Sequence, residues 1–110
     1  MSVIKLIQEK FGGRVVPRTS IKTIETGKSV EVVKDNPNRV GLLIQNIGSY
    51  SIYMNIENPA TVGGGLLLLS NGGTYSINWE EDGILPCKSH HAIASGGNST
   101  VIVIELILIR

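Results

Sequence analysis

The chain is poor in charged residues: Asp, Glu, Lys and Arg make up 17% of its 110 residues, below the quarter or so that is typical of soluble domains. Its net charge is only +1, and its ten Lys and Arg residues are scattered, with no basic run. A protein that binds nucleic acid directly usually presents a concentrated basic face. We therefore expect no direct nucleic-acid partner, and we expect other proteins to cover part of this thinly charged surface.

Cysteine and long apolar runs are also scarce. Cys87 is the only cysteine, so no internal disulfide framework is possible. The longest apolar stretch, residues 101–109 with Glu105 inside it, is too short to cross a bilayer as a helix. The start of the chain lacks the apolar core and small-residue cleavage site of a secretory signal. We expect a soluble single domain, made in a cytoplasm and without membrane contact.

Patterns that are typical of active sites are missing. The triple glycine at 63–65 is not followed by the Lys and Ser or Thr of a phosphate-binding loop, and no GxSxG motif surrounds Ser89. The adjacent acids at 80–82 are typical of an exposed turn rather than of a catalytic carboxylate pair. The sequence therefore predicts that the chain is not an enzyme and that it needs no cofactor.

One group of residues carries the atoms that ligate metals: Cys87, His90 and His91. A zinc site needs three or four protein ligands, and adjacent histidines on a strand face opposite ways. A structural role for all three is therefore favoured, and no metal is predicted. A metal site completed across subunits around an oligomer axis remains an alternative, and a metal-dependent enzyme that uses these residues ranks last.

Most of the chain consists of short apolar or alternating segments separated by Gly, Asn and Pro turns. This pattern predicts an all-β fold, an antiparallel β-sandwich of jelly-roll-like type. In the segment at residues 39–46, Val40, Leu42 and Ile44 alternate in phase, so we expect all three to face the core. The predicted strands are residues 20–26, 29–34, 39–46, 50–56, 66–69, 74–79, 90–95 and 99–109.

The first nineteen residues are predicted to lie outside the sandwich, which would comprise residues 20–110. Apolar residues at helical spacing, with Ser2 before them and Gly12 after them, predict a short helix, and an extended arm is the alternative. Pro17 indicates an extended linker before the sandwich. We expect this segment to be a docking arm that uses apolar and basic side chains. Its predicted contact residues are Val3, Ile4, Ile7, Phe11, Arg14 and Arg18.

The last segment is apolar on both faces of any strand that it forms. A strand at the surface of a small monomer would carry polar residues on its outer face, whereas this one offers a single charged residue, Glu105. We therefore expect a second subunit to cover this outer face and also the leucines of the 66–69 segment. The predicted oligomer interface consists of Leu67, Leu69, Val103, Glu105, Ile107 and Ile109.

Two stretches resemble small structural proteins of tailed phages and related viruses. Residues 36–39 are NPNR and introduce a strand that ends in the NxG pattern at 46–48, followed by the YSIYM strand at 50–54. A turn of small residues and a strand at 92–101 resemble the closing part of the same proteins. The resemblance covers residues 36–57 and 91–105, and it carries no active-site residues.

This resemblance implies a non-enzymatic virion component, such as a capsid decoration, head-fibre or tail-associated protein. We expect it to self-associate, as a trimer, and to dock on other virion proteins. The alternative function is a β module that binds a carbohydrate or a receptor through the loops at 58–65 and 79–90, with Trp79 stacking on the sugar.

Overall fold

Eight β-strands and an N-terminal helix contain most of the residues in this computed structural model, which describes residues 2–110 apart from the side chain of Ile7. The elements are α1 (Val3–Phe11), β1 (Arg14–Ile24), β2 (Val30–Val33), β3 (Arg39–Asn46), β4 (Ile52–Ile56), β5 (Leu66–Leu68), β6 (Thr74–Asn78), the short α2 (Trp79–Asp82), a 3₁₀ turn (Leu85–Cys87), β7 (His90–Ala94) and β8 (Ser99–Ile109).

The strands form two four-stranded sheets packed face to face. The front sheet has the order β1-β8-β3-β6 and the back sheet has the order β2-β7-β4-β5. Every pair of neighbouring strands is antiparallel. Eight strands in this order make a jelly roll. The predicted antiparallel β-sandwich with a short N-terminal helix is confirmed.

The interior is aliphatic and lies between the two sheets. Each Val, Leu, Ile or Met side chain there, when fully buried, contributes about 1.5–3 kcal/mol to folding. The core residues are Ile24, Val32, Val33, Leu42, Ile44, Ile52, Met54, Leu68, Ile77, Ala92, Ala94, Val101 and Val103. They come from all eight strands, so neither sheet could bury its inner face without the other.

Helix α1 has the caps that its sequence predicts. The Ser2 Oγ accepts a hydrogen bond from the Lys5 N–H at 3.1 Å, and Gly12 ends the helix in the left-handed region at φ 67°. The helix, rather than the extended arm, is therefore the structure of this segment. None of the helices within residues 2–110 is both long enough and apolar enough to span a membrane.

The boundary between the arm and the sandwich lies earlier than the sequence predicted. Strand β1 begins at Arg14, which pairs with Ile109, and its pairing with β8 continues to Ile24. Residues 14–19 therefore belong to the sandwich and not to the arm. Pro17 was a misleading signal because a strand at the edge of a sheet needs no N–H donor on its free side.

A β-bulge near the start of β3 changes the direction of two side chains. Arg39 pairs with Ile107 and Gly41 pairs with Leu106, which leaves Val40 as an extra residue. Beyond the bulge, Leu42 and Ile44 face the core as predicted. Before it, the alternation is reversed: Arg39 is buried, and Val40 is displaced from the core to a half-buried position.

Candidate interaction surface

The outer face of the front sheet presents apolar and uncharged polar side chains only. We call it the apolar face. Its members follow from the strand registers and from the residues that face the core. They are Val15, Pro17, Thr19, Ile21 and Thr23 of β1; Thr100, Ile102, Ile104, Leu106 and Leu108 of β8; Gly41, Leu43 and Gln45 of β3; and Thr74, Ser76 and Asn78 of β6. No residue that the structure places on this face is charged.

The apolar face is partly open to solvent in the single chain. Ile21 is 67% exposed and Leu106 is 40% exposed, while Leu43, Ile102 and Ile104 are half-buried. A shallow depression of about 320 Å³ lies among Leu43, Ile104 and Leu106. Contiguous exposed apolar surface of this kind usually marks a contact site for another molecule.

Helix α1 lies at one end of the apolar face and is held there by aromatic contacts. The Phe11 and Trp79 rings meet edge to face, with centroids 5.0 Å apart, and the Lys10 Nζ lies 4.8 Å from the centre of the Trp79 ring. A groove of about 350 Å³ separates the helix from Val40 and Leu106 on the sheet. The helix is therefore attached at its C-terminal end and only partly packed on the sheet beneath it.

The predicted docking residues fall into two groups. Val3 and Ile4 are exposed, at 72% and 69%, so the helix presents them to solvent, whereas Phe11 contacts Trp79 within the chain. The Ile7 side chain lies outside the described part of the structure. Arg14 and Arg18 belong to β1 and thus to the sandwich, and Arg18 lines a cleft between β1 and β2.

The predicted oligomer interface is not one surface. Leu67 and Leu69, which are 50% and 61% exposed, belong to β5 and the residues after it, at the edge of the back sheet. Val103 and Ile107 lie inside the sandwich, with 0% and 7% exposure, and only Ile109 at the strand end is partly open, at 42%. For Val103 and Ile107 the prediction is wrong, because the chain itself covers them.

The reason for this error is Glu105. The sequence interpretation placed it on the outer face because a charge normally prefers water. In the structure it is 8% exposed and faces inward, where its Oε2 lies 2.9 Å from the Arg39 Nε. The opposite, even-numbered residues of β8 therefore form the outer face. The sequence held a signal for this arrangement, because an Arg at residue 39 could pair with the lone acid of β8.

The three residues with metal-ligating atoms serve the fold. His90 is fully buried: its Nδ1 lies 2.9 Å from the Lys88 carbonyl oxygen and its Nε2 lies 3.0 Å from the Tyr75 hydroxyl. The Cys87 Sγ lies 3.2 Å from the Arg39 carbonyl oxygen, and the His91 Nε2 lies 3.3 Å from the Ser89 Oγ. Within residues 2–110, no group of three or more His, Cys, Asp or Glu side chains is arranged to hold a metal ion.

Burial also sets the ionisation of the His90–Tyr75 pair. Desolvation lowers the pKa of His90 below its usual value, and the nearby Arg39 and His91 act in the same direction, against the hydrogen bond to Lys88. Desolvation raises the pKa of Tyr75 to about 12, with a smaller contribution from Asp82. Both side chains are therefore neutral near pH 7.

The residue that precedes the 58–65 loop, Glu57, contacts the 79–90 loop of the alternative sugar-binding hypothesis. The Glu57 N–H donates to the Ser89 carbonyl oxygen at 2.9 Å, and the Lys88 Nζ lies 3.0 Å from the Glu57 Oε1. The Trp79 ring, however, already contacts Phe11 and Lys10. Stacking of Trp79 on a sugar would therefore compete with the attachment of α1.

The motif residues that carry the viral resemblance have structural roles. The Asn36 Oδ1 accepts from the Asn38 N–H at 2.9 Å and so closes the turn that leads into Arg39. At the other end of β3, the buried Asn46 Oδ1 accepts from the Gly48 N–H at 3.1 Å and from the Ser99 Oγ at 2.8 Å. The NPNR and NxG patterns thus mark the two ends of one central strand.

The similarity of this chain to known proteins lies in its fold alone. No family model matches the chain, and no curated protein matches it. Its structure is similar to that of a subunit of Bacillus endospore appendages, described as disulfide-linked pili, with a TM-score of 0.55, 6% identity, and 87% of this chain and 89% of the other covered. It is also similar to PirA, with a TM-score of 0.53, 14% identity, and coverage of 79% and 92%.

A third similar structure corrects one prediction. Hydroxypropylphosphonic acid epoxidase from S. wedmorenis aligns with a TM-score of 0.52 and 16% identity, over 83% of this chain and 43% of the epoxidase chain. The prediction, made from missing motifs, that the chain is not an enzyme is therefore corrected: an enzyme shares this fold, so the absence of those motifs does not exclude catalysis. The small β-sandwich implied by the viral resemblance is confirmed, whereas the viral assignment rests on the sequence patterns.

Proposed function

We propose that the chain is a structural subunit that assembles with further copies of itself through the apolar face of its front sheet. The observation that carries this proposal is a sheet face without a charged residue, on which Ile21 and Leu106 are exposed and Ile102 and Ile104 are half-buried. Burial of such a face stabilises an assembly by removing apolar area from water.

The size of the apolar face supports an assembly of this kind. β1 and β8 have 11 residues each, β3 has 8 and β6 has 5, and each strand residue covers about 16 Å² of sheet, so the flat area of the face is about 550 Å². Specific interfaces bury about 800 Å² on each partner. The face therefore supplies about two-thirds of the area that a specific contact buries on one partner.

A pair of charged variants tests this proposal against a matched control. Ile21→Glu and Ile104→Glu place a carboxylate on the apolar face, where it would be buried without a partner in the assembly. Val62→Glu makes the same change at a similarly exposed apolar residue, 54% open, in the 58–65 loop. We expect the first two variants to lower the mass measured by light scattering, and Val62→Glu to leave it unchanged.

Two results would contradict this assignment of the assembly surface. One is an assembly that survives both Ile21→Glu and Ile104→Glu. The other is an assembly that Val62→Glu disrupts to the same extent. Melting curves of the isolated variants check that each substitution leaves the sandwich folded.

We further propose that the assembled particle is a virion, in which the chain serves as a capsid decoration, head-fibre or tail-associated protein. The support is the resemblance of residues 36–57 and 91–105 to such proteins. The trimer expected from the sequence belongs to the same proposal, as does docking of α1 on other virion proteins through the exposed Val3 and Ile4.

Deletion of residues 1–12 tests the docking role of α1. The shortened chain keeps the whole of β1, which begins at Arg14. We expect it to assemble with itself but to be absent from purified particles, as measured by quantitative mass spectrometry. Retention of the shortened chain on particles would contradict docking by α1, and absence of the full chain from particles would contradict the virion assignment.

A further inference from the structure

The two open edges of the sandwich differ in how they resist pairing with another strand. At one edge lie β1 and β2. β1 carries Pro17 and three basic residues, Arg14, Arg18 and Lys22, and β2 has a register shift next to Glu31. Proline, charged side chains and bulges are the usual means by which proteins block unwanted pairing of edge strands. This edge is therefore protected.

The opposite edge, formed by β5 and β6, has none of these protective features. From Leu66 to Asn78 the sequence contains no charged residue and no proline, and β6 pairs with β3 without a bulge. Thr74 and Ser76 of β6 are exposed, and so are Leu67 and Leu69 beside them. An edge strand offers unpaired N–H and C=O groups along its free side.

We infer that β6 pairs antiparallel with β6 of a second copy, which joins two front sheets into one eight-stranded sheet. This inference rests on the proposed self-assembly and adds a second contact to it. Pairing of an edge with itself is the arrangement that the charges favour. The uncharged β5–β6 edge meets no like charge when it faces the same edge of a second copy. Pairing of β6 with the β1–β2 edge, in contrast, is opposed by Pro17 and by the basic residues of β1.

The edge is also continuous with the apolar face. Thr74, Ser76 and Asn78 belong both to β6 and to that face, so a two-fold axis normal to the sheet keeps the two apolar faces on the same side. The pairing doubles the uncharged surface to about 1,100 Å². It also brings the exposed Leu67 of one copy towards that of the other, which gives this residue of the predicted interface a partner.

Disulfide trapping tests the edge contact directly. Residues directly opposite each other on antiparallel strands have Cα atoms about 4.5–5.5 Å apart, which falls in the range that a disulfide spans. Thr74→Cys and Ser76→Cys would be made in a Cys87→Ser background, alone and mixed, so that neighbouring registers are sampled. Lys28→Cys, in the exposed turn between β1 and β2, serves as the control for random collision.

We expect Thr74→Cys, Ser76→Cys or their mixture to form a covalent dimer at least about tenfold faster than Lys28→Cys, because a preformed pair holds the two thiols at high effective concentration. Equal rates at the β6 positions and at Lys28→Cys would overturn the inference. A second arm repeats the test in the Ile21→Glu background. Cross-linking that persists there supports the edge contact even if the apolar face plays no part in assembly. Cross-linking that Ile21→Glu abolishes would overturn the edge contact and assign the proximity to the apolar face.

Discussion

Arg39 and Glu105 form a buried ion pair that joins the two central strands of the front sheet. The Arg39 Nε lies 2.9 Å from the Glu105 Oε2, and the two residues are 2% and 8% exposed. Three of the four remaining guanidinium N–H groups donate to the carbonyl oxygens of Lys34, Pro86 and Lys88, at 2.7, 3.0 and 3.3 Å. One arginine thus ties β3 and β8 to the two loops at that end of the sandwich.

Replacement of Glu105 by Leu should destabilise the chain strongly. The substitution leaves the Arg39 guanidinium buried without its counter-charge, and loss of one partner of a buried ion pair typically costs about 3–5 kcal/mol. The free energy of unfolding, measured by urea titration, should fall by about this amount. A loss below about 1 kcal/mol would contradict a structural role for the pair.

The double variant Arg39→Met with Glu105→Leu is the matched control for that experiment. It removes both charges together, and apolar replacements of buried ion pairs are often close to neutral. We expect the double variant to be more stable than Glu105→Leu alone. If it is less stable, the carbonyl contacts of Arg39 matter more than the ion pair.

Asn46 fixes the other end of the same strand pair. Its Nδ2 donates to the carbonyl oxygens of Tyr50 at 2.8 Å and Leu68 at 3.2 Å, and its Oδ1 accepts from Gly48 and Ser99. Asn46→Ala leaves these buried groups without partners, so we expect a loss of about 2–3 kcal/mol in the free energy of unfolding. Asn58→Ala, at an exposed site with one long hydrogen bond of 3.3 Å, should cost less than about 0.5 kcal/mol. Equal costs at the two sites would contradict this account.

These polar residues also explain how far the sequence could predict the structure. Alternating apolar segments and Gly or Asn turns were enough to predict the sandwich and the bounds of β3, because side-chain alternation is a local property. The inner face of β8 was predicted wrongly, because both of its faces are apolar and the one signal that separates them is the pairing of Glu105 with Arg39 on a neighbouring strand. The bulge at Val40, which turns Arg39 inward, leaves no signal in the alternation pattern.

The strand order and the start of β1 depended on tertiary pairing as well. Pro17 predicted a linker, yet the pairing of Arg14 with Ile109 makes this segment an edge strand. The sequence predicted that β8 has a second apolar side outside the core, but not which residues form it. That side carries the half-buried Ile102 and Ile104 and the exposed Leu106, rather than Val103 and Ile107.

The stability of the fold should decrease as the pH falls below about 6.5. Burial lowers the pKa of His90 in the folded state, so the unfolded chain takes up a proton at a higher pH than the folded chain does. His90 therefore contributes stability that is fully present above the unfolded pKa and is lost as the pH falls towards the folded value. The loss approaches about 1.4 kcal/mol per pH unit for this one group.

Urea titrations of the natural chain and of His90→Gln between pH 7.5 and 5 measure this contribution. The glutamine variant retains a hydrogen-bonding side chain for Tyr75 and Lys88 without the titration. We expect a flatter dependence on pH for His90→Gln. The same slope in both proteins would show that other groups set the acid sensitivity.

Two truncations should separate the helix from the sandwich. Deletion of residues 1–12 removes α1 and its Phe11–Trp79 contact but leaves β1 intact, so the sandwich should stay folded with a small loss in melting temperature. Deletion of residues 1–19 also removes the part of β1 that pairs with the end of β8 and should lower the melting temperature far more. Similar melting temperatures for the two truncated chains would place the start of the sandwich after residue 19.

The absolute mass of the natural chain in solution, measured by light scattering over a dilution series, tests self-assembly most directly. One copy has a mass of 11.8 kDa. We predict a larger mass at high concentration, an integral multiple of this value, which Ile104→Glu lowers. A mass of 11.8 kDa at every concentration, with the apolar face of β8 open to water, would contradict it.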